Sequence, residues 1–133
     1  MRSRGRSGAR ILAIDDEPDA LAILRIFLSA EGWQVATASS AVDALRLIRK
    51  RTPDLIVTDC AMPGMTGLEL CRELRGHVAT RHIPIILHTG MTTIPRGERR
   101  LYDRLLVKPA DLDHLASEIR GLLGSKRTRS RKS

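Results

Sequence analysis

Five short apolar runs punctuate the chain: Ile11–Ile14, Val35–Ala38, Leu55–Thr58, Ile83–Leu87 and Leu105–Val107. They are continuous rather than alternating, which is the pattern of parallel strands covered on both faces. Helical periodicity fills most of the intervals between them. Five strand–helix units of this kind predict a three-layer α/β sandwich, a five-stranded parallel sheet with helices on both faces. Right-handed crossovers reduce the topology to a few doubly wound orders. The order 2-1-3-4-5 is expected, with the first and third strands adjacent at the switch point where such sheets bind ligands.

Punctuation residues support the helices. Pro18 suits a first helical turn, where its missing N–H costs nothing. Leu21, Ile23, Leu24, Phe27 and Leu28 predict that helix's apolar face, and Gly32 its stop. Ser40-Ala41-Val42-Asp43 resembles a helix start, with Leu45 and Ile48 continuing the stripe, and Pro53 ends the unit. Thr66-Gly67-Leu68-Glu69 predicts a capping box, with Leu70, Cys71 and Leu74 inside the helix. Asp111 caps a last helix whose apolar face is Leu112, Leu115, Ile119 and Leu122. The fourth unit, Thr92 to Tyr102, holds Pro95 and Gly97 with little apolar periodicity, so a short, distorted or mobile helix is expected there.

A length of 133 residues suits one domain with a real core. Phe27, Trp33 and Tyr102 are the only aromatic residues, so that core must be aliphatic. The formal charge of +8 points to nucleic acid until it is located. Nine of the 23 cations lie in residues 1–10 and 125–133, leaving 14 against 15 acids in residues 11–124. The body is therefore close to neutral. The expected organisation is a basic flexible tail over 1–9, a folded body over 10–124 and a second basic flexible tail over 125–133. Such tails allow weak, non-specific nucleic-acid contact.

Asp15-Asp16-Glu17 cuts the first apolar run too short for a signal peptide, and no run reaches the roughly 18–20 residues of a membrane span. Cys60 and Cys71 read as ordinary thiols, in keeping with a reducing, cytoplasmic setting.

Asp59 carries the chemical argument. It closes the third apolar run and opens into Cys60-Ala61-Met62-Pro63-Gly64-Met65-Thr66-Gly67. Alone, a strand-end Asp is most often a turn or cap residue, and so is the pair Asp15-Asp16. The predicted strand order changes that, because it brings Asp15, Asp16 and Asp59 to one edge. Three carboxylates there repel unless a proton or a cation relieves them. Mg²⁺ suits the donors, since it takes oxygen ligands and commonly bridges carboxylates to phosphate. A backbone carbonyl in the Cys60–Ala61 turn offers a further oxygen, with Ala61 the candidate. Lys108, at the end of the fifth run, can pair with a carboxylate or a phosphoryl oxygen. Thr89, followed by Gly90, can donate a hydroxyl to an incoming oxygen. The set matches phosphoryl transfer to a carboxylate nucleophile.

These residues resemble the response-regulator receiver domain of two-component signalling, over about residues 10–124. The resemblance rests on Asp-Asp-Glu after the first strand, the Asp59…Met62-Pro63-Gly64-Met65-Thr66-Gly67 loop, Thr89-Gly90 and Lys108-Pro109. It implies a flavodoxin-like fold, with Asp59 as phosphoacceptor and Asp15 and Asp16 as Mg²⁺ ligands. It also implies that Lys108 contacts the phosphoryl group, that Thr89 is the switch hydroxyl and that the Lys108-Pro109 bond is cis. The implied donor is a histidine kinase or phosphotransfer protein, and the implied output a conformational switch that controls a protein target. A regulator rather than an enzyme is expected, monomeric or weakly dimeric. Only nine residues follow Gly124, so no DNA-binding domain is expected in the chain. That fits a single-domain regulator and equally a receiver excised from a longer protein.

Two departures from the family pattern stand out. Receivers usually carry Tyr or Phe three residues before the Lys, and this chain has Leu105, with Tyr102 three residues earlier. The stretch from Thr89 to Lys108 is also a few residues short. The family's usual output surface is therefore not carried over.

Two other classes compete. One is a nucleic-acid-associated protein using basic tails on a receiver-like body, although few aromatics are available for base stacking. The other is a hydrolase with an Asp nucleophile. Ala61 stands where the common Asp-x-Asp arrangement needs its second acid, and no phosphate-binding Gly-rich fingerprint occurs. His77, His82, His88 and His114 show no metal-ligand spacing. His88 is the one to follow, because it precedes Thr89 and should face the other side of the strand.

Overall fold

The computed structural model describes residues 8–90 and 96–132. The arginines within residues 1–7, Met91 and the Pro95 of the fourth unit lie outside the described residues. Five parallel strands, β1 (Arg10–Ile14), β2 (Gln34–Ala38), β3 (Leu55–Thr58), β4 (Ile85–Thr89) and β5 (Arg104–Val107), form one sheet in the order β2-β1-β3-β4-β5. This is the expected order. Among the described residues four α-helices accompany it: α1 (Pro18–Ala30), α2 (Ala41–Lys50), α3 (Gly67–Arg75) and α4 (Leu112–Lys132).

The core is aliphatic and lies in two layers, one on each face of the sheet. Ile11, Ala13, Leu55, Val57 and Ile86 pack under Leu24 and Leu28 of α1 and Leu115, Ile119 and Leu122 of α4. On the other face Leu12, Ile14, Ile56, Ile85 and Leu87 pack under Ala44 and Ile48 of α2 and Leu70, Cys71 and Leu74 of α3. Period-2 alternation along each strand sends neighbouring residues to opposite layers, so both faces must be apolar and the runs must be continuous.

Local signals set the helix ends. Pro18 occupies the first turn of α1. Gly32 follows that helix at φ 100°, a backbone region that L side chains rarely adopt. The Ser40 hydroxyl accepts from Asp43 N at 3.1 Å at the start of α2. At the start of α3, Thr66 Oγ1 accepts from Glu69 N (3.1 Å), and Thr66 N donates to Glu69 Oε1 (2.8 Å), completing the capping box. Asp111 Oδ1 accepts from Asp113 N at 3.1 Å.

Two expectations need correction. Ile23 is 55% exposed and not part of the core face of α1. Strand β4 runs Ile85–Thr89 rather than Ile83–Leu87, because Pro84 brings no N–H to the ladder and offers only its carbonyl, which accepts from Ile56 N at 3.0 Å. The described part of the fourth unit is a 3-10 helix, Arg96–Leu101, in keeping with the short or distorted helix expected there. Helix α4 is continuous from Leu112 to Lys132. No proline follows Leu112 to stop it, and Lys, Arg, Ser and Thr all tolerate a helix. No helix among the described residues is long and apolar enough to cross a membrane.

Candidate functional site

Register explains why the acids meet. Ile14 pairs with Thr58 across β1 and β3, so Asp15 and Asp59 are each the next residue beyond the ladder. Asp59 N donates to Ile14 O (2.9 Å) and Asp15 N to Ala38 O (3.2 Å), which fixes both backbones at the C-terminal edge of the sheet. On the other side Thr89 pairs with Val107, and Lys108 N donates to Thr89 O at 2.7 Å. Lys108 is thus the corresponding first residue beyond β5, with a cis bond to Pro109.

The side chains converge from these positions. Oxygens of Asp15, Asp16 and Asp59 lie within 4.8 Å of one another, with Asp15 and Asp59 buried (1% and 8% exposed) and Asp16 exposed. Lys108 Nζ donates to Asp15 Oδ2 at 2.7 Å and reaches Asp59 Oδ2 at 3.4 Å. The remaining oxygens of the buried acids take local N–H groups: Glu17 N donates to Asp15 Oδ1 (3.0 Å) and Ala61 N to Asp59 Oδ1 (3.2 Å). Ala61 therefore meets Asp59 through its backbone N–H.

Charge is unbalanced. Three carboxylates face one ammonium, a formal surplus of two negative charges. Two unit charges about 5 Å apart repel by about 3 kcal/mol at an effective dielectric of about 20, more than a typical hydrogen bond returns. Burial works to lower the Lys108 pKa, but the hydrogen bond and charge of Asp15, reinforced by Asp59, hold it above its ordinary value of 10.5. The ammonium is therefore fully charged at neutral pH. A surplus of hard oxygen donors at one point fits a divalent cation such as Mg²⁺.

The loop after Asp59 is held by helix α3. Gly67 N donates to Cys60 O at 2.9 Å. A Cβ on Gly67 would sit 2.2 Å from Asp59 O and 2.8 Å from Cys60 Cα, so only glycine fits. Gly67 was visible in the sequence as part of the capping box, but its contact with the Asp59 backbone was not. Both cysteines are buried. Burial raises the Cys60 pKa, and it pushes that of Cys71 up to about 12. Neither thiol is an activated nucleophile.

Thr89 is buried at the end of β4. His88, its neighbour, lies on the α1 side, where it lines a cavity with Asp15, Leu24 and Lys108. Burial, and then the charge of Lys108, push the His88 pKa below 6.5 against the opposing pull of Asp15 and Asp59. The neutral imidazole is thus the form present at neutral pH.

Residues 11–120 match the model of the response regulator receiver domain. The response regulator PleD of Caulobacter vibrioides is 37% identical over 119 residues, an alignment that covers 86% of this chain and 26% of that protein. The transcriptional regulatory protein AfsQ1 of Streptomyces coelicolor is 37% identical over 116 residues, covering 85% of this chain and 50% of that protein. The chain therefore spans between about a quarter and a half of the length of these curated relatives. Among solved structures, the response regulator TrrA of Thermotoga maritima, in complex with Mg²⁺ and BeF, is 32% identical with a TM-score of 0.78. That match covers 86% of this chain and 98% of TrrA.

Proposed function

This chain belongs to the response regulator receiver domain family, and on that premise we propose that Asp59 accepts a phosphoryl group in a Mg²⁺-dependent step of two-component signalling. The observation that carries this reading is the Asp59 carboxylate itself, nearly buried, facing the Lys108 ammonium and within 4.8 Å of the acidic pair Asp15-Asp16. Asp15, Asp16 and Asp59 would hold the ion, with the Ala61 carbonyl as a further oxygen. Bound Mg²⁺ would supply positive charge opposite the oxygens of the incoming phosphoryl group. That TrrA was solved with Mg²⁺ and BeF supports the same metal here.

The protein groups then have distinct tasks. A carboxylate oxygen of Asp59 attacks phosphorus in line, the bond to the donor breaks, and an acyl phosphate remains. Lys108 already points at Asp59 Oδ2 and neutralises part of the charge that the transferred group brings. The Thr89 hydroxyl takes one phosphoryl oxygen, and β4 with the segment after it follows. The donor is a histidine kinase or a phosphotransfer protein, and the output is a shifted conformational equilibrium read by a partner protein. This is a switch rather than a turnover enzyme.

Incubation with Mg²⁺ and acetyl phosphate should add one acid-stable, base-labile phosphoryl group, read by intact-mass spectrometry. Asp59→Asn should abolish the addition. A wild-type protein that stays unmodified with donor and metal in excess would rule this reading out.

A further inference from the structure

A cavity of about 480 Å³ opens beside the acidic site, on the α1 face of the sheet. Asp15 and Lys108 are among its lining residues. Its other walls are Glu17 just before α1, Ala20, Ile23 and Leu24 of α1, Pro109 and Ala110 just before α4, and Leu112 at its start. Two of those wall residues are alanines, whose short side chains leave the space open. The sheet side carries His88. This residue is 9% exposed, and its Nε2 is buried without a hydrogen-bond partner among the described residues.

An unpartnered buried imidazole nitrogen stands out, because buried polar atoms are nearly always satisfied. The phosphoryl-transfer scheme above gives His88 no task. The cavity has the volume of a small-molecule site, commonly about 300–1,000 Å³, and the usual makeup of one, an apolar lining with a few polar groups.

We propose that this cavity binds a small, largely apolar aromatic molecule carrying one hydrogen-bonding group, with His88 as the polar anchor and Ala20 and Ala110 as the residues that make room. The apolar walls supply most of the affinity by removing the ring from water. The anchor supplies orientation. A neutral imidazole suits such a ligand, because it carries one donor and one acceptor and presents no charge to an apolar ring.

Indole is a suitable probe, with a ring of the right character and a single N–H. Titration of isotope-labelled full-length protein with indole, followed by amide and methyl NMR, should give saturable shifts at Ala20, Leu24, His88 and Leu112. Ala110→Phe places a ring in the same space and should abolish those shifts. Ala20→Leu fills it from the opposite wall and provides the second test should the first variant fold poorly. His88→Leu keeps the volume and removes the anchor, so the affinity should fall roughly three- to tenfold, the worth of one net hydrogen bond. Absence of saturable shifts overturns the proposal. So does undiminished binding by either filled variant with an otherwise wild-type spectrum, or equal binding by His88→Leu. None of these readouts needs phosphoryl transfer, so the two readings stand or fall separately.

Discussion

Gly67 shows how one hydrogen atom constrains the site. Ala in its place would gain at most about 1 kcal/mol of helix propensity, the value for a helix interior. Its Cβ, however, would press on the backbone of Asp59 and Cys60 at 2.2 and 2.8 Å. Overpacking of that kind costs about 1–3 kcal/mol or more, so the clash wins. Gly67→Ala should lower the urea midpoint and also slow phosphoryl incorporation, since the atoms displaced belong to Asp59. His88 gives a pH test at the same scale. The unfolded chain protonates this imidazole near 6.5, while the folded protein resists protonation to lower pH. The unfolded state then binds more protons, so stability should fall as pH drops from about 6.5 toward the folded value. Above 6.5 the contribution is nil. His88→Leu should flatten that part of the pH–stability curve, and an unchanged slope between pH 7 and 5 would contradict the assignment.

At the scale of elements, the capping box of α3 matters beyond its own helix. Thr66 and Glu69 satisfy two backbone donors at the N-terminus, and the same turn delivers Gly67 to the loop that follows Asp59. Thr66→Ala should cost about 1 kcal/mol of stability by chemical denaturation. The box was legible because its residues are three apart and the interaction is local. Strand β4 was legible in kind and displaced by two residues, because hydrophobicity marks burial whereas ladder membership requires an N–H that Pro84 lacks. Ile23 was misassigned for a related reason. Periodicity locates a face to within about one residue's rotation, and what packs against that face decides its edge.

At the scale of the molecule, the site is an electrostatic consequence of topology. The order β2-β1-β3-β4-β5 places the ends of β1 and β3 side by side and so forces Asp15 and Asp59 together. That juxtaposition stores repulsion that a bound cation would release. MgCl₂ should therefore raise the thermal midpoint, by an amount equivalent to about 2.7 kcal/mol at a hundred times the dissociation constant. Asp16→Asn removes an exposed carboxylate from the cluster. It should shrink the Mg²⁺ response while leaving the metal-free midpoint unchanged or slightly higher. Calorimetry with and without the salt reads both, and a midpoint indifferent to Mg²⁺ in the wild type would sink the metal assignment.

By itself the sequence determined the strand count, the parallel sheet and its order, because apolar runs, prolines and caps act over a few residues. It also singled out Asp15, Asp16, Asp59, Thr89 and Lys108, since each stands at the end of an apolar run. Which atoms meet was decided only in three dimensions. The Lys108 bridge to Asp15 spans 93 residues and outranks its longer contact with Asp59. The fit of Gly67 against the Asp59 carbonyl and the cavity between Ala20, His88 and Ala110 arise from packing between segments far apart in the chain. Such contacts depend on distances of a few ångströms between elements, and no local pattern of residue types encodes them.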